Sequence, residues 1–341
     1  MLETPGRHVH HLELDLIEPG RTERLWLHLV NDKLGEPVRI PLVVVRGRHE
    51  GPVLGLTAAI HGNELNGIPI IQALSRELDP DTLRGTVVGA LAVNIPGLLL
   101  EQREFNDGQD LNRMGPGDAQ GTTSQIYFHR LVDRIVSHFD YHVDLHTASR
   151  GRINSHYVRA DMDDPVTARM ARLCNPHIIV HNVPADRTLR GSAASRGIKS
   201  VTVELQDPSV FQEAVIEDGL MGIRNLMVDL GMLEGWIVCP TDETVLCRSS
   251  QWLYTDEGGI LYVWPKVRQM VSEDEVIAEV RTIFGRTVKQ YQAPWAGVVV
   301  GKSVNPLNQT GSRILHLGRD LTWLPCVTDD DEASVPLRDA R

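Results

Sequence analysis

Nearly uninterrupted apolar runs, separated by segments of helical spacing, constrain this chain more than any other feature. VLGLTAAI (53–60) and TVVGALAV (86–93) are apolar almost throughout, and KSVTVEL (199–205) is Val-rich. Such runs suit strands covered on both faces. Between them, GIPIIQALSREL (67–78) and SQIYFHRLVDRIVSHF (124–139) repeat apolar residues at helical spacing. Pro69 falls in the first turn of its helix, where it is tolerated. YHVDLH (141–146), VTARMARLC (166–174), HIIVH (177–181), an Ala-rich helix near 189–196 and a long helix within 209–233 continue the alternation. The pattern predicts an α/β fold with a mostly parallel mixed sheet flanked by helices. WLHLV (26–30) and IPLVVVRG (40–47) read as strands that precede this core.

Near Gly235 the texture changes. GGILYVW (258–264), EVIAEVR (275–281), AGVVVGK (296–302) and RILHLG (313–318) are short, rich in Val and Ile, and punctuated by Gly, Pro, Asp and Asn. They predict a small all-β C-terminal domain. The expected division is a catalytic domain over 1–235, with N-terminal strands in 1–50, a β-domain over 236–322, and an acidic, flexible tail over 323–341. A length of 341 residues agrees with two domains.

The net charge of −11 argues against nucleic acid as the main partner, which demands a basic face. No apolar run reaches the roughly 20 residues needed to span a bilayer, and the first 20 residues show no secretory h-region. A cytoplasmic protein without membrane partners is expected. Cys174, Cys239, Cys247 and Cys326 form no CxxC pair, so four reduced thiols are expected. The exposed β-rich segment leaves a homo-oligomer open.

Chemistry concentrates at the ends of the buried strands, where open α/β sheets bind ligands. His61-Gly62-Asn63-Glu64 directly follows the run 53–60. A histidine and a carboxylate three residues apart can reach one zinc if the turn is tight, and Gly62 permits that turn. His146 closes YHVDLH, 82 residues after Glu64. Two histidines and a glutamate are the donor set of a catalytic zinc whose fourth position stays open. Asp144 shares a strand face with His146 and could orient it or compete as a ligand. Glu204 closes a Val-rich strand, a costly place for a carboxylate unless it is paired or functional. It is a candidate general base and acid. The long loop 94–115 holds Arg103, Asn112 and Arg113, which could stabilise an oxyanion and hold a carboxylate. Singly, the histidines read more readily as satisfied strand ends and the loop residues as a solvated loop, while Glu204 is equally compatible with an ion pair. His177 and His181 flank a strand on one face. Asp161, Asp163 and Asp164 read as a helix cap before Pro165.

Taken in order, HGNE, then N-I-P, Arg103, D-L-N-R, D-L-H-T and V-E-L resemble the aspartoacylase/succinylglutamate desuccinylase family of zinc carboxypeptidase-like hydrolases, over roughly residues 40–235. The β-rich segment that follows is also similar to that family's C-terminal domain. The resemblance implies His61, Glu64 and His146 as ligands of one Zn2+ per chain, and Glu204 as general base and acid. It implies Arg103 as the carbonyl-polarising arginine and Asn112-Arg113 as the pair that holds the substrate carboxylate. Arg190 is a further substrate-binding candidate. The family usually has glycine soon after the catalytic glutamate, whereas Gln206-Asp207-Pro208 stand here. Arg150, Arg152 and Arg159 either contact an anionic substrate or lie on a solvated surface.

The expected activity is hydrolysis of an N-acyl amino acid, or a similar small anionic amide. The rivals are a peptide-trimming carboxypeptidase and a non-catalytic metal- or ligand-binding protein. Ester cleavage by the same machinery also stays open.

Overall fold

The computed structural model describes residues 6–184, 187–240, 243–327 and Leu337. The strands of the first part are β1 (Arg7–Val9), β2 (Arg21–Asn31), β3 (Pro37–Arg46), β4 (His49–Ala58), β5 (Arg84–Ala90), β6 (Tyr141–His146), β7 (Arg152–Asn154), β8 (His156–Ala160), β9 (Ile178–His181) and β10 (Lys199–Leu205). The helices are α1 (Gly67–Glu77), α2 (Ile95–Leu99), α3 (Thr123–Arg134), α4 (Pro165–Leu173), α5 (Leu189–Ala194) and α6 (Glu213–Asp229). Eight strands follow: β11 (Glu243–Tyr254), β12 (Gly259–Val263), β13 (Met270–Val271), β14 (Val276–Arg281), β15 (Thr287–Gln292), β16 (Gly297–Ser303), β17 (Leu307–Asn308) and β18 (Arg313–Pro325).

One large mixed sheet runs β1-β2-β3-β5-β4-β6-β10-β8-β9-β11-β18-β16-β13, with β7 paired to β16. Its centre, β5-β4-β6-β10, is parallel. A second, small sheet runs β15-β14-β12-β17. The two faces of the central strands differ in chemistry. Leu54, Leu56 and Ala58 of β4, Val143 and Leu145 of β6, and Val201, Val203 and Leu205 of β10 pack against α1, α4 and α6. Their alternate neighbours Thr57, His142, Asp144, His146, Ser200 and Thr202 are polar and buried on the other face. The polar side of this sheet is therefore where a site can form.

Among the strands that went unforeseen, two shape the large sheet. β8 lies antiparallel between β10 and β9, deep in the large sheet. Its sequence, HYVRA, carries Tyr157 and Arg159 toward the polar face, which hides the apolar alternation. β11 joins β9 in parallel and β18 antiparallel, so the C-terminal strands extend the catalytic sheet itself. β18 also runs to Pro325, past the boundary expected at 322. The expected tail lies outside the described residues from 328 onward, except Leu337. That residue is buried, and its N–H donates to Asp229 Oδ2 at 3.0 Å.

The expectation of four free thiols is corrected. Cys239 and Cys326 form a disulfide across 87 residues, while Cys174 and Cys247 are free and buried. β18 returns along β11 until Pro325 faces Glu243, which brings the two cysteines together. Local spacing carries no sign of such a pairing. No described helix is long and apolar enough to cross a membrane.

Candidate metal centre and substrate cavity

Strand register builds the site as two rows. In the first, His146, Glu204 and Tyr157 stand side by side on β6, β10 and β8. In the second, Thr57, Asp144, Thr202 and Arg159 do so on β4, β6, β10 and β8. His61 arrives from the turn after β4. Ala59 takes a positive φ of 52° there, and Gly62 packs so tightly that a Cβ would sit 2.0 Å from the Gly97 backbone. Only glycine fits at position 62.

The histidines are held from behind. His146 Nε2 donates to Asp144 Oδ2 at 2.8 Å, and His61 Nε2 donates to Asp110 Oδ1 at 3.1 Å. Each keeps Nδ1 toward Glu64. Asp144 thus orients His146 from outside the ligand set. Its other oxygen accepts from Thr57 Oγ1 at 2.6 Å. Thr57 has then spent its proton, so it accepts from His142 Nε2 at 2.8 Å, and His142 Nδ1 accepts from Ser200 Oγ at 2.8 Å. This assigns His142 the neutral Nε2–H tautomer. Burial, partly opposed by Asp144, pushes its pKa down to about 4 in agreement.

Glu64 Oε2 accepts from His146 Nδ1 at 2.9 Å and from the Thr147 N–H at 3.2 Å, and Oε1 accepts from Ser149 Oγ at 2.6 Å. Burial would raise its pKa, but His61 and His146 hold it well below the usual carboxylate range. His146 faces a carboxylate through each ring nitrogen. Burial opposes its protonation, yet Asp144 and Glu64 outweigh burial and raise its pKa. The surroundings therefore call for a positive charge at this point. His61 Nδ1 is buried 2.9 Å from Glu64 Oε1 and makes no hydrogen bond. One donor atom each from His61, Glu64 and His146 lie within 4.8 Å of one another. Two imidazole nitrogens with carboxylate-backed rings, plus one carboxylate, fit a zinc ion and leave a fourth position open.

His61, Glu64, His146, Arg103, Asn112, Arg113, Arg190 and Glu204 line one cavity of about 440 Å³. Arg103 is clamped by Asp110, with Nε at 3.2 Å and Nη2 at 2.9 Å from Oδ2. Its Nη1 donates to Glu64 Oε1 at 3.3 Å. Glu204 accepts from Asn154 Nδ2 at 3.0 Å and lies 3.9 Å from Arg159. Burial raises its pKa. Asn112 Oδ1 accepts the Leu189 N–H at 2.8 Å, which ties it to the start of α5. Arg190 is nearly inaccessible and donates to Asn182, including its carbonyl at 3.0 Å, so it shapes the wall as well as lining it. Gln206 holds a left-handed φ of 59°, and its carbonyl accepts from the Ala148 N–H at 2.8 Å. The turn after Glu204 is thus made without glycine.

Arg152 and Arg159 line the cavity as well, and Arg150 does not. Sequence reasoning missed Asp110, Asn154, Trp252 and Arg313. Asp110 sits inside the D-L-N-R segment and carried a readable signal, whereas Trp252 and Arg313 come from the C-terminal strands and had none. Asp164 caps α4, accepting from the Val166 N–H at 2.9 Å. Asp161, Asp163 and His181 converge nearby, but His181 Nδ1 accepts the Met162 N–H and Arg248 pairs with Asp163.

The family pattern of the succinylglutamate desuccinylase/aspartoacylase catalytic domain matches residues 50–230. The chain belongs to this family. The stretch carries every family motif singled out above. A curated relative, the N-alpha-acetyl-L-2,4-diaminobutyric acid deacetylase of Halomonas elongata, is 27% identical over 78% of this chain and 81% of its own length. The succinylglutamate desuccinylase of Pseudomonas paraeruginosa is 28% identical over 56% of this chain and 63% of its own length. Both relatives are named as deacylating enzymes. Among solved structures, a succinylglutamate desuccinylase/aspartoacylase of Rhodobacter sphaeroides aligns with a TM-score of 0.79 and 23% identity, covering 89% of this chain and 98% of that one. A product-bound ectoine utilization protein of Ruegeria pomeroyi aligns with a TM-score of 0.80 and 20% identity, covering 89% and 97%. These two likenesses establish the fold.

Proposed function

We propose that this protein is a zinc-dependent deacylase that hydrolyses the amide bond of an N-acyl amino acid, or of a similar small carboxylate-bearing amide. The observation that carries the reading is Glu204 set beside His146 across β10 and β6, in the same cavity as the other metal donors. The deacetylase and desuccinylase names of the two relatives support it.

His61, Glu64 and His146 would hold the zinc, which supplies Lewis acidity to water and to the amide carbonyl. Glu204 takes a proton from the attacking water and delivers it to the leaving nitrogen. Its raised pKa suits both tasks, because a carboxyl that is too acidic returns protons poorly. Arg103, fixed by Asp110, places a guanidinium beside Glu64 where negative charge grows on the carbonyl oxygen. Asn112 and Arg113 hold the substrate carboxylate. The Asp144–Thr57–His142–Ser200 chain keeps His146 from turning.

A peptide-trimming carboxypeptidase would use the same donors. Trp252 and Arg313 wall this cavity from the C-terminal strands, which favours a small substrate. A pure metal binder has no need of Glu204.

The test combines metal analysis with an amine-release screen over N-acetyl, N-succinyl and N-formyl amino acids. About one zinc per chain and turnover of at least one class are expected. Glu204→Gln should keep the metal and lose roughly 10²–10⁴-fold in kcat. Metal bound with no turnover, or a fully active Glu204→Gln, would sink the reading.

A further inference from the structure

A carboxyl that takes a proton and gives it back must keep one oxygen turned to the reacting atoms. Glu204 stands near the end of β10, beside His146. Asn154 Nδ2 donates to its Oε2 at 3.0 Å. Arg159 Nε lies 3.9 Å from Oε1, an ion-pair distance too long for a hydrogen bond. An amide donor suits Oε2 in both protonation states. It bonds the charged carboxylate, and it bonds the carbonyl oxygen that remains once Oε1 carries the proton. The amide does not titrate, so it does not compete for the proton in transit.

The support of Asn154 comes from the C-terminal strands. Asn154 ends β7, a three-residue strand that pairs with β16. Register sets Arg152 against Ser303, Ile153 against Lys302 and Asn154 against Gly301. The next residue, Ser155, gives its N–H and its hydroxyl to the Val300 carbonyl at 2.9 and 3.1 Å. Lys302 Nζ donates to the carbonyls of Val263 and Pro265 at 2.9 and 2.7 Å, which ties β16 to the end of β12. Gly301 is buried, and a Cβ there would sit 2.3 Å from Asn154 Oδ1 and 3.0 Å from the Ile153 carbonyl oxygen. Gly301 has no positive φ, so its backbone conformation is open to other residues. Space, not conformation, requires glycine here. With Oδ1 packed on bare backbone, Nδ2 is the end of the amide that faces Glu204.

We propose that Asn154 is a positioning residue for the general base, held in place by Gly301, so that the C-terminal strands set the orientation of Glu204. The proposal rests on the deacylase reading of this cavity. Oε2 stays bonded to Asn154 throughout. Oε1 takes the proton of the attacking water and passes it to the leaving nitrogen, so Glu204 ends as the carboxylate it began as.

The experiment compares Asn154→Ala, Asn154→Asp and Gly301→Ala with the zinc-loaded wild type. Asn154→Ala should lower kcat about 10–100-fold, the scale of one hydrogen bond to a charged group, with KM within about twofold and zinc content unchanged. Asn154→Asp keeps the shape but sets a second carboxylate in place of the donor, and its kcat should fall at least as far. A mere packing role predicts the reverse order, with Asn154→Asp active and Asn154→Ala poor. Gly301→Ala should cost at least about fivefold in kcat in the wild type and little in the Asn154→Ala background, where the displaced amide is absent. A general loss of folding would instead add in both backgrounds. Crystals of the metal-free protein need no turnover: Glu204 should hold one orientation in the wild type and several in Asn154→Ala. Glu204 loosened in that variant, with no amide hydrolysed by the wild type, would remove the deacylase reading and keep the positioning. Asn154→Asp at wild-type kcat, or Glu204 unmoved in Asn154→Ala, would overturn the positioning.

Discussion

The cavity has two kinds of wall. The floor, on β4, β6, β10 and β8, is buried, and nearly every polar group on it has a hydrogen-bond partner. The wall from β11 and β18 carries Trp252 and Arg313, and Arg313 is exposed. The difference separates two tasks. Groups that hold a metal and move a proton must be fixed before substrate arrives, which needs a supporting shell. Groups that choose among substrates do best with unspent hydrogen-bonding capacity. The proposed chemistry therefore sits on the catalytic sheet, and the strands added to its edge close the cavity from one side.

The comparison breaks if the floor tolerates change. The largest expected effect is His61→Ala: zinc content should fall toward zero and amide cleavage with it, as read by metal analysis and an amine-release assay. A variant that keeps one zinc would mean that the donor set is wrong. Asp144→Asn leaves the donors in place but weakens the support of His146. Zinc affinity in a chelator competition should drop roughly 10–100-fold, and an unchanged affinity would make Asp144 a bystander.

Charge on the floor gives a finer test. Burial holds the Glu204 carboxyl above its ordinary range, while Arg159 pulls it down. A general base works only when deprotonated, so kcat/KM should fall as pH drops through the raised pKa. Arg159→Gln removes the cation, raises that pKa further and should shift the acid limb to higher pH. A limb that stays put would show that another group controls the profile. The smallest effect is expected beyond both walls. Phe284, almost fully exposed at the hairpin between β14 and β15, lies outside the cavity. Phe284→Ser should change kcat/KM by no more than about twofold, the scale of an ordinary surface substitution. A larger loss would extend the functional surface to the small sheet.

Much of the floor was legible because local rules governed it. β4, β6 and β10 announced themselves as apolar or alternating runs, and the residues at their ends, His61, His146 and Glu204, were readable as candidate donors and a candidate base. α1 and α3 followed from spacing, although α3 ends at Arg134, before the expected 139. β8 was illegible because its Tyr157 and Arg159 belong to the polar face, where function overrides the strand pattern. Asp110 was visible only as part of a motif, since its partnership with His61 spans 49 residues. The role of Asp144 stayed open until the ring nitrogen that it touches was known.

The sequence by itself determined the α/β core, the family motifs and the candidate metal donors, because strand periodicity and strand-end chemistry are local properties. Only the tertiary structure decided that β11 and β18 would extend the catalytic sheet, pair Cys239 with Cys326, and carry Trp252 and Arg313 into the cavity. Those outcomes depend on which strand edges meet across many tens of residues, and no spacing along the chain encodes that encounter.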